Sequence, residues 1–169
     1  MTTLTFRPLR PEQDAPTIHD WATQPRGRFW GMADRTVDEV REIYEFVDSL
    51  EAHWAWIGEQ DGRPVALLQT YEPEHDPVAE VYDVQPGDVG AHVFVAPGED
   101  AMEIGVGIFA WLFADPAVSR LVGEPDASNR AILTRLTQSG FELGERVRIG
   151  DKDAQMVYLT RERFENATR

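Results

Sequence analysis

A glycine-bearing segment near the middle of the chain has the residue types and spacing of an anion site. The residues up to Pro97 alternate as a strand does, and a helical pattern follows from Met102, with Gly105 and Gly107 near its start. The first amides of a helix lack partners within it, and with the positive end of the helix dipole they attract phosphate. Glycine lets a pyrophosphate come close because it has no Cβ. Alone, such a strand–loop–helix is more often purely structural.

His92 lies in the same predicted strand, directly before the run that contains Val93 and Val95. An imidazole titrates near neutral pH, so a histidine at this point can act as a general base. The alternative is a histidine that packs on one face of the sheet with its hydrogen bonds satisfied. The spacing of the residues leaves both interpretations open.

Asp126 follows a proline at the end of the next predicted strand, and Asn129 begins the helix after it. A carboxylate at this position could bind a substrate or orient a base. It could equally close an Asx turn or cap the helix, which is the structural interpretation. The sequence favours neither interpretation over the other.

Three further side chains, those of His19, Trp30 and Tyr71, are candidates for lining an acceptor pocket. Trp30 lies in a loop, where an aromatic side chain usually covers a ligand or a neighbouring surface. His19 lies on a predicted helix, and the alternative for it is that it only packs against its neighbours. No cluster of His, Asp and Glu has metal-site spacing, so we predict no metal. The chain has no cysteine and no serine in a nucleophile elbow, which argues against cysteine and serine nucleophiles.

The helices and strands that must position these residues follow a different order in the two halves of the chain. Early strands, two of them joined by a turn at Asp61 and Gly62, are followed by a strand–helix–strand unit. That order predicts an α+β fold with a mixed central sheet of about seven strands and helices on both faces. The length of 169 residues predicts one domain, residues 1–169. The predicted strands are 4–9, 53–59, 64–71, 89–97, 119–124, 141–148 and 154–160, and the predicted helices are 11–22, 36–50, 102–114 and 128–140, with a helical turn in 161–169.

The charge balance restricts the partners. The chain has 16 Lys and Arg against 30 Asp and Glu, a formal net charge of -14. Such a surface repels nucleic acid and anionic lipid and suits a cationic small molecule, although acidity alone can serve solubility. The chain contains no run of about 18 apolar residues, the length that could span a membrane. The N-terminus lacks the apolar core of a signal peptide and no disulfide can form, so we expect a cytoplasmic protein.

The order of these segments resembles the acyl-CoA-binding half of the GNAT N-acyltransferases. That family's phosphate loop, Q/R-x-x-G-x-G/A, falls here on residues 102–107, which we call the glycine loop. Met102 stands at its first position, Gly105 and Gly107 at its two glycine positions, and Val106 between them. A narrower likeness covers nearly the whole chain. It is to the siderophore-biosynthesis branch, whose members acylate N-hydroxylated lysine, ornithine or diamines to hydroxamates. The segments that carry this likeness are His19-Asp20-Trp21, Arg28-Phe29-Trp30, Gln69-Thr70-Tyr71-Glu72-Pro73, Gly87-Asp88-Val89-Gly90-Ala91-His92, Glu124-Pro125-Asp126 with Asn129, and Asp151-Lys152-Asp153-Ala154.

The resemblance implies an acyl-CoA-dependent N-acyltransferase that uses acetyl-CoA or another acyl-CoA and a small-molecule amine acceptor. It implies His92 as the general base and Asp126 as a residue that binds the substrate N-hydroxyl group or orients the base. Asn129 and the glycine loop would contact the coenzyme. The amides of Val93 and Val95 would polarise the thioester carbonyl. We expect a monomer or a homodimer.

Two positions depart from the family pattern. Met102 stands where Gln or Arg is usual, so one side-chain contact to the coenzyme phosphates is missing, although backbone donors remain. Leu136 stands where many members have the tyrosine that protonates the leaving thiolate, which excludes a tyrosine acid there. Both departures keep a non-catalytic acyl-CoA-binding module open as an alternative. An aminoglycoside-type N-acetyltransferase is the second alternative, because an acidic surface suits its cationic substrates equally well.

Overall fold

The computed structural model describes residues 3–169. The elements predicted from the sequence are present, and their ends differ from the prediction by at most two residues. Among these described residues, no helix is both long enough and apolar enough to cross a bilayer. The elements, in chain order, are β1 Leu4–Pro8, α1 Pro11–Ala22, α2 Val37–Asp48, β2 His53–Gln60, β3 Arg63–Tyr71, β4 Asp88–Val95, α3 Ala101–Phe113, β5 Arg120–Gly123, α4 Arg130–Gln138, β6 Glu142–Ile149, β7 Lys152–Thr160 and α5 Arg161–Ala167.

The strands form one seven-stranded sheet in the order β1-β2-β3-β4-β5-β7-β6. β1 is antiparallel to β2, and β7 is antiparallel to β5 and β6. β4 and β5 are parallel, and α3 provides the crossover that a parallel pair needs. The predicted α+β fold with a mixed sheet of about seven strands is therefore confirmed. The placement of helices on both faces stays a prediction.

Local sequence signals explain where several elements begin and turn. The Thr36 hydroxyl accepts the amide of Glu39 at 3.1 Å, and the Glu39 carboxylate accepts the amide of Thr36 at 3.1 Å. This capping box starts α2. Asp61 and Gly62 have φ values of 51° and 76°, as a two-residue hairpin turn between β2 and β3 requires.

The contacts divide the chain into two compact units. The first comprises residues 1–70, described from residue 3, and 92–108, and the second comprises 71–91 and 109–169. β4 contributes to both, because residues 88–91 belong to the second unit and 92–95 to the first. The single domain expected from the length stays a prediction.

Each unit contains its own cluster of buried apolar side chains. In the first unit the cluster joins α1, α2 and the neighbouring strands, and its larger members include Ile18, Trp21, Val40, Tyr44, Ile57, Leu67 and Phe94. In the second unit a smaller cluster comprises Tyr71, Val78, Val122 and Met156, with Tyr82 and Tyr158 packed against it.

An ion pair fastens β1 to α1 in the first unit. Arg7 donates to both carboxylate oxygens of Asp14, each at 2.8 Å, and to Glu59 at 2.8 Å. Asp14 is 5% exposed and also accepts the Arg10 amide at 2.7 Å. Burial raises the pKa of Asp14, but the hydrogen bonds from Arg7 and the Arg10 amide outweigh burial and hold this pKa below its ordinary value. Asp14 is therefore ionised at neutral pH.

We expect Asp14→Asn to lower the free energy of unfolding by about 2 kcal/mol, because Arg7 loses a charged partner in a half-buried position. Folding lowers the pKa of Asp14, so its contribution is present above the ordinary pKa of 3.8 and is lost as the pH falls through the folded value. In urea titrations the difference between wild type and variant should therefore narrow at acid pH. Asp20→Asn, on the exposed side of α1, is the control. Equal effects of the two substitutions would contradict this role.

Candidate functional site

Phe94 fixes the orientation of β4 in the first unit. Its ring stacks on Trp21 with centroids 6.4 Å apart and meets Trp30 edge-on at 5.4 Å. Side chains alternate between the two faces of a strand, so His92 lies on the same face of β4 as Phe94. The structure therefore places the predicted base His92, which is half-buried, on the face that carries the predicted acceptor residue Trp30.

Trp30 is held in place by a chain of hydrogen bonds. Its indole nitrogen donates to the Tyr44 hydroxyl at 3.3 Å, and this hydroxyl donates to Oε1 of Gln69 at 3.1 Å. Burial raises the pKa of Tyr44, so the hydroxyl keeps its proton. Trp30 thus offers a fixed, half-exposed aromatic surface. His19 is half-buried on α1, two residues before Trp21.

The amides of Val93 and Val95 point to one edge of β4. Ala96, the residue after this strand, donates its amide to the carbonyl of Val65 in β3 at 2.8 Å. Successive amides of an extended chain point to opposite edges, so those of Val95 and Val93 point away from β3. The ladder with β5 covers residues 88–90 of β4, and both valines lie beyond it. Two backbone donors on one edge can stabilise a carbonyl oxygen as it gains negative charge.

The glycine loop differs from the expectation of free amides at its glycines. α3 begins at Ala101, so Gly105 and Gly107 lie in its second turn, where amides donate to carbonyls four residues back. A Cβ on Gly107 would stand 3.0 Å from Cδ2 of Leu4. The absence of a side chain at Gly107 therefore leaves room for the Leu4 side chain of β1. Val106, between the two glycines, is half-buried.

Asp100 caps the start of α3. Its Oδ1 accepts the amides of Met102 at 2.9 Å and Glu103 at 3.1 Å, and its carbonyl accepts the amide of Ile104 at 3.0 Å. A coenzyme phosphate would therefore compete with this carboxylate for the amides of the first turn. Asp100 was not among the predicted site residues. Its signal was present, because an Asp followed three residues later by Glu103 is typical of a helix start.

A buried pair in the second unit joins β3 to the end of β5. The Tyr71 hydroxyl donates to Oε2 of Glu124 at 2.5 Å, and the two residues are 2% and 6% exposed. Burial and the charge of Glu124 raise the pKa of Tyr71, so it is the phenol that donates. A Cβ on Gly90 would stand 2.2 Å from the Tyr71 ring, so only glycine fits under it. Tyr71, which was predicted to line a pocket, is thus buried. Glu124 was not among the predicted site residues, because its partner Tyr71 is 53 residues away in the sequence.

Asp126 and Asn129 both take part in turn geometry in the second unit. Oδ1 of Asp126 accepts the Ser128 hydroxyl at 2.6 Å and the Ser128 amide at 2.8 Å. These bonds lower the pKa of Asp126, so the carboxylate is ionised. Asn129 caps α4, with its Oδ1 accepting the Ile132 amide at 3.3 Å. The Asx-turn interpretation of Asp126 is therefore confirmed, and the predicted catalytic and coenzyme-binding roles stay predictions.

Among residues 3–169, one group of side chains has ligand atoms close enough together to hold a metal ion. Ligand atoms of Glu72, Glu74 and His75 lie within 4.8 Å of one another, and all three residues are exposed. Exposed acidic groups of this kind are common without an ion. The expectation of no metal stays a prediction.

Comparison with known proteins identifies relatives over most of the chain. Residues 10–149 match the family model described as acetyltransferase (GNAT) domain. The N(6)-hydroxylysine O-acetyltransferase of Escherichia coli is 26% identical over 170 residues, which cover 95% of this chain and 53% of that protein. The N-hydroxyputrescine acetyltransferase of Acinetobacter baumannii is 24% identical over 171 residues, which cover 96% of this chain and 80% of that protein. The chain thus spans about half the length of the first relative.

Solved structures share the fold at low sequence identity. An uncharacterised protein from Bacillus halodurans has a TM-score of 0.88 at 19% identity, covering 98% of this chain and 88% of that one. An aminoglycoside acetyltransferase in complex with coenzyme A has a TM-score of 0.82 at 24% identity, covering 99% and 100%. A Vibrio cholerae spermidine N-acetyltransferase in complex with CoA and spermine has a TM-score of 0.70 at 16% identity, covering 97% and 99%. At these identities the likeness shows the fold alone.

We expect Tyr71→Phe to lower the free energy of unfolding by about 1–3 kcal/mol, because it removes a hydrogen bond to a buried carboxylate. Tyr158→Phe is a matched control, since the Tyr158 hydroxyl meets Glu145 at 3.3 Å on the exposed surface. This control should change stability by less than about 0.5 kcal/mol. Urea denaturation of both variants measures the difference. A Tyr71→Phe protein as stable as wild type would show that the buried hydrogen bond adds nothing to stability.

Proposed function

This chain belongs to the GNAT acetyltransferase family, and we propose that it transfers an acyl group from acyl-CoA to the nitrogen of an N-hydroxylated lysine, ornithine or diamine. The product would be a hydroxamate for siderophore biosynthesis. The names of the two curated relatives, which contain N(6)-hydroxylysine and N-hydroxyputrescine, support this acceptor class. The observation that carries the proposal is the geometry of β4, with His92 on the face that carries Trp30 and two amides directed to one edge.

In the proposed reaction the neutral nitrogen attacks the carbonyl carbon of the thioester directly, without an acyl-enzyme. His92 takes the proton that this nitrogen loses, either directly or through a water molecule. The amides of Val93 and Val95 stabilise the negative charge on the carbonyl oxygen. The carbon–sulfur bond then breaks and CoA leaves as a thiolate, which is a tolerable leaving group without a tyrosine acid at Leu136.

An N-hydroxylated amine suits a site with a single histidine base. A plain lysine-type amine has a pKa of about 10.4, so at neutral pH it is protonated and cannot attack. The electron-withdrawing hydroxyl group leaves the nitrogen mostly neutral. A base near neutral pH is then sufficient, because only the proton released during the attack must be removed.

The hydroxyl group of the acceptor also needs a partner. Asp126 is ionised and uses Oδ1 for Ser128, so we assign the N-hydroxyl group to its Oδ2. The second amine of a lysine, ornithine or diamine skeleton is cationic. The segment of residues 72–88, which contains several Asp and Glu, would attract that cation.

A non-catalytic acyl-CoA-binding module remains the alternative that a specific observation favours. Leu136 supplies no acid for the leaving thiolate, and Met102 departs from the family motif as well, while the backbone donors of the coenzyme site remain. An aminoglycoside-type acceptor is the alternative within acetyltransferases. Assaying thiol release from acetyl-CoA with a panel of amines separates the three. Binding without turnover would favour the module, and turnover with aminoglycosides would favour the second alternative.

We expect His92→Ala to lower kcat by about 10²–10⁴-fold, the range for loss of a general base, and to leave acyl-CoA affinity nearly unchanged. Thiol release measures turnover, and calorimetry measures the affinity for CoA. His53→Ala, which removes a half-buried histidine at the start of β2, is the control and should leave both quantities unaltered. If kcat of His92→Ala falls by less than about threefold, a general-base role is wrong and His92 is a packing residue.

We expect kcat/KM for N-hydroxycadaverine, N-hydroxylysine or N-hydroxyornithine to exceed that for the parent amine by at least about 100-fold. A site built to bind the hydroxyl group rejects an acceptor that lacks it, and the parent amine is protonated as well. The product is then tested with ferric iron, because a hydroxamate forms a coloured complex and an O-acyl hydroxylamine does not. A ratio near one would refute the acceptor class, and a colourless product would refute transfer to nitrogen.

A further inference from the structure

We propose that Arg26 is a positioning residue that holds the segment between β4 and α3, residues 96–100, in the shape that binds acyl-CoA. This inference rests on the proposed function and adds a residue that the family motif does not contain. The contacts that support this role lie within the first unit. We call residues 96–100 the β4–α3 loop.

The guanidinium of Arg26 spans the β4–α3 loop. One terminal nitrogen, Nη1, donates to the carbonyl of Ala96 at 2.8 Å and to the carbonyl of Glu99 at 3.1 Å. These carbonyls lie at the two ends of a tight turn, in which the amide of Glu99 donates to the carbonyl of Ala96 at 3.2 Å. A charged donor shared by both carbonyls opposes opening of this turn.

The backbone around Arg26 is fixed, so the side chain can act as a brace. Residues Pro25–Gly27 form a single 3-10 turn, and proline restricts φ at its start. A Cβ on Gly27 would stand 2.4 Å from the carbonyl oxygen of Ala22, so the turn lies directly against the last residue of α1. The Gly27 amide donates to Gln24 at 2.8 Å. Arg26 therefore connects the end of α1 to the β4–α3 loop.

The positive charge of Arg26 lies beside a loop whose carboxylates repel phosphate. The β4–α3 loop and the first turn of α3 contain Glu99, Asp100 and Glu103, which repel the phosphates of a coenzyme. The carboxylate of Glu99 is paired with Arg63, and Met102 supplies no cation. Arg26 adds a second positive charge to the loop. In residues 3–169 only its Nη1 has a hydrogen-bond partner.

The loop in turn decides what the neighbouring elements present to a ligand. It follows the amides of Val93 and Val95 directly, and it contains Asp100, whose carboxylate starts α3. A shift of the loop would move Asp100 and the first turn of α3 with it. It would leave His92 and the amides of Val93 and Val95 in place, because the packing of Phe94 holds that part of β4. Loss of Arg26 should therefore weaken donor binding and spare the chemical step.

The test compares Arg26→Ala, Arg26→Lys and Arg28→Ala in steady-state assays, in calorimetric titrations with CoA and in thermal unfolding. Arg28 is a nearby exposed arginine whose guanidinium stacks on Phe29 at 4.6 Å, so it controls for loss of charge. We expect Arg26→Ala to raise KM for acyl-CoA and Kd for CoA by about tenfold, with kcat within about twofold of wild type. Arg26→Lys should recover part of this loss. Arg28→Ala should leave all three constants near wild type.

Three results would overturn the inference. KM for acyl-CoA of Arg26→Ala could stay within about twofold of wild type, Arg28→Ala could weaken CoA binding equally, or kcat could fall as much as kcat/KM does. A lower Tm without a change in KM would show that Arg26 serves stability only, which also overturns it. If the wild type neither binds CoA nor releases thiol, the proposed function itself is wrong. A wild type that is active beside an Arg26→Ala variant of unchanged KM rejects the positioning role alone.

Discussion

The packing of Phe94 against two indoles is the interaction on which the arrangement of the candidate site depends. A strand has two degrees of freedom that matter here, its register and its rotation about its own axis. The contacts of Phe94 with Trp21 and Trp30 fix both the register and the rotation of β4, because a slip of one residue would turn Phe94 to the opposite face. With Phe94 buried, His92 must share its face, and the amides of Val93 and Val95 must share an edge. The position of His92 and the direction of the two amides, on which the proposed reaction depends, thus follow from one apolar contact.

The acidity of the chain acts in opposite directions on the two substrates proposed for it. A net charge of -14 attracts a cationic amine and repels the phosphates of acyl-CoA. The repulsion is sharpest at the first turn of α3, where the Asp100 carboxylate already occupies the amides of Met102 and Glu103. Backbone donors and the arginines at the β4–α3 loop must offset it locally. Donor binding should therefore depend more on the shape of this loop than on a phosphate-binding side chain.

The sequence predicts most of the fold because its signals are local. The capping box of Thr36 and Glu39 and the turn at Asp61 and Gly62 each depend on residues within four positions of one another, and the structure confirms both. The site was predicted less well, for two different reasons. The cap that Asp100 forms on α3 had a local signal, since Glu103 follows three residues later, but the family motif begins at Met102 and does not contain Asp100. The pairing of Tyr71 with Glu124 links residues far apart in the chain, and no local pattern contains it.

The acceptor that we propose would be selected by loops, because the sheet is shared with proteins whose names give different substrates. Structures of an aminoglycoside acetyltransferase and a spermidine N-acetyltransferase match nearly the whole chain, so the strand framework carries no information about the acceptor. The acidic segment of residues 72–88 is anchored at its end by Asp88, which accepts two hydrogen bonds from Arg120, each at 2.8 Å, and one from Tyr82 at 2.9 Å. This anchoring holds the carboxylate of Asp88 at a defined position. For the cationic acceptor that we propose, the spacing of its amines relative to the carboxylates of this segment, rather than its net charge, would then decide how well it fits.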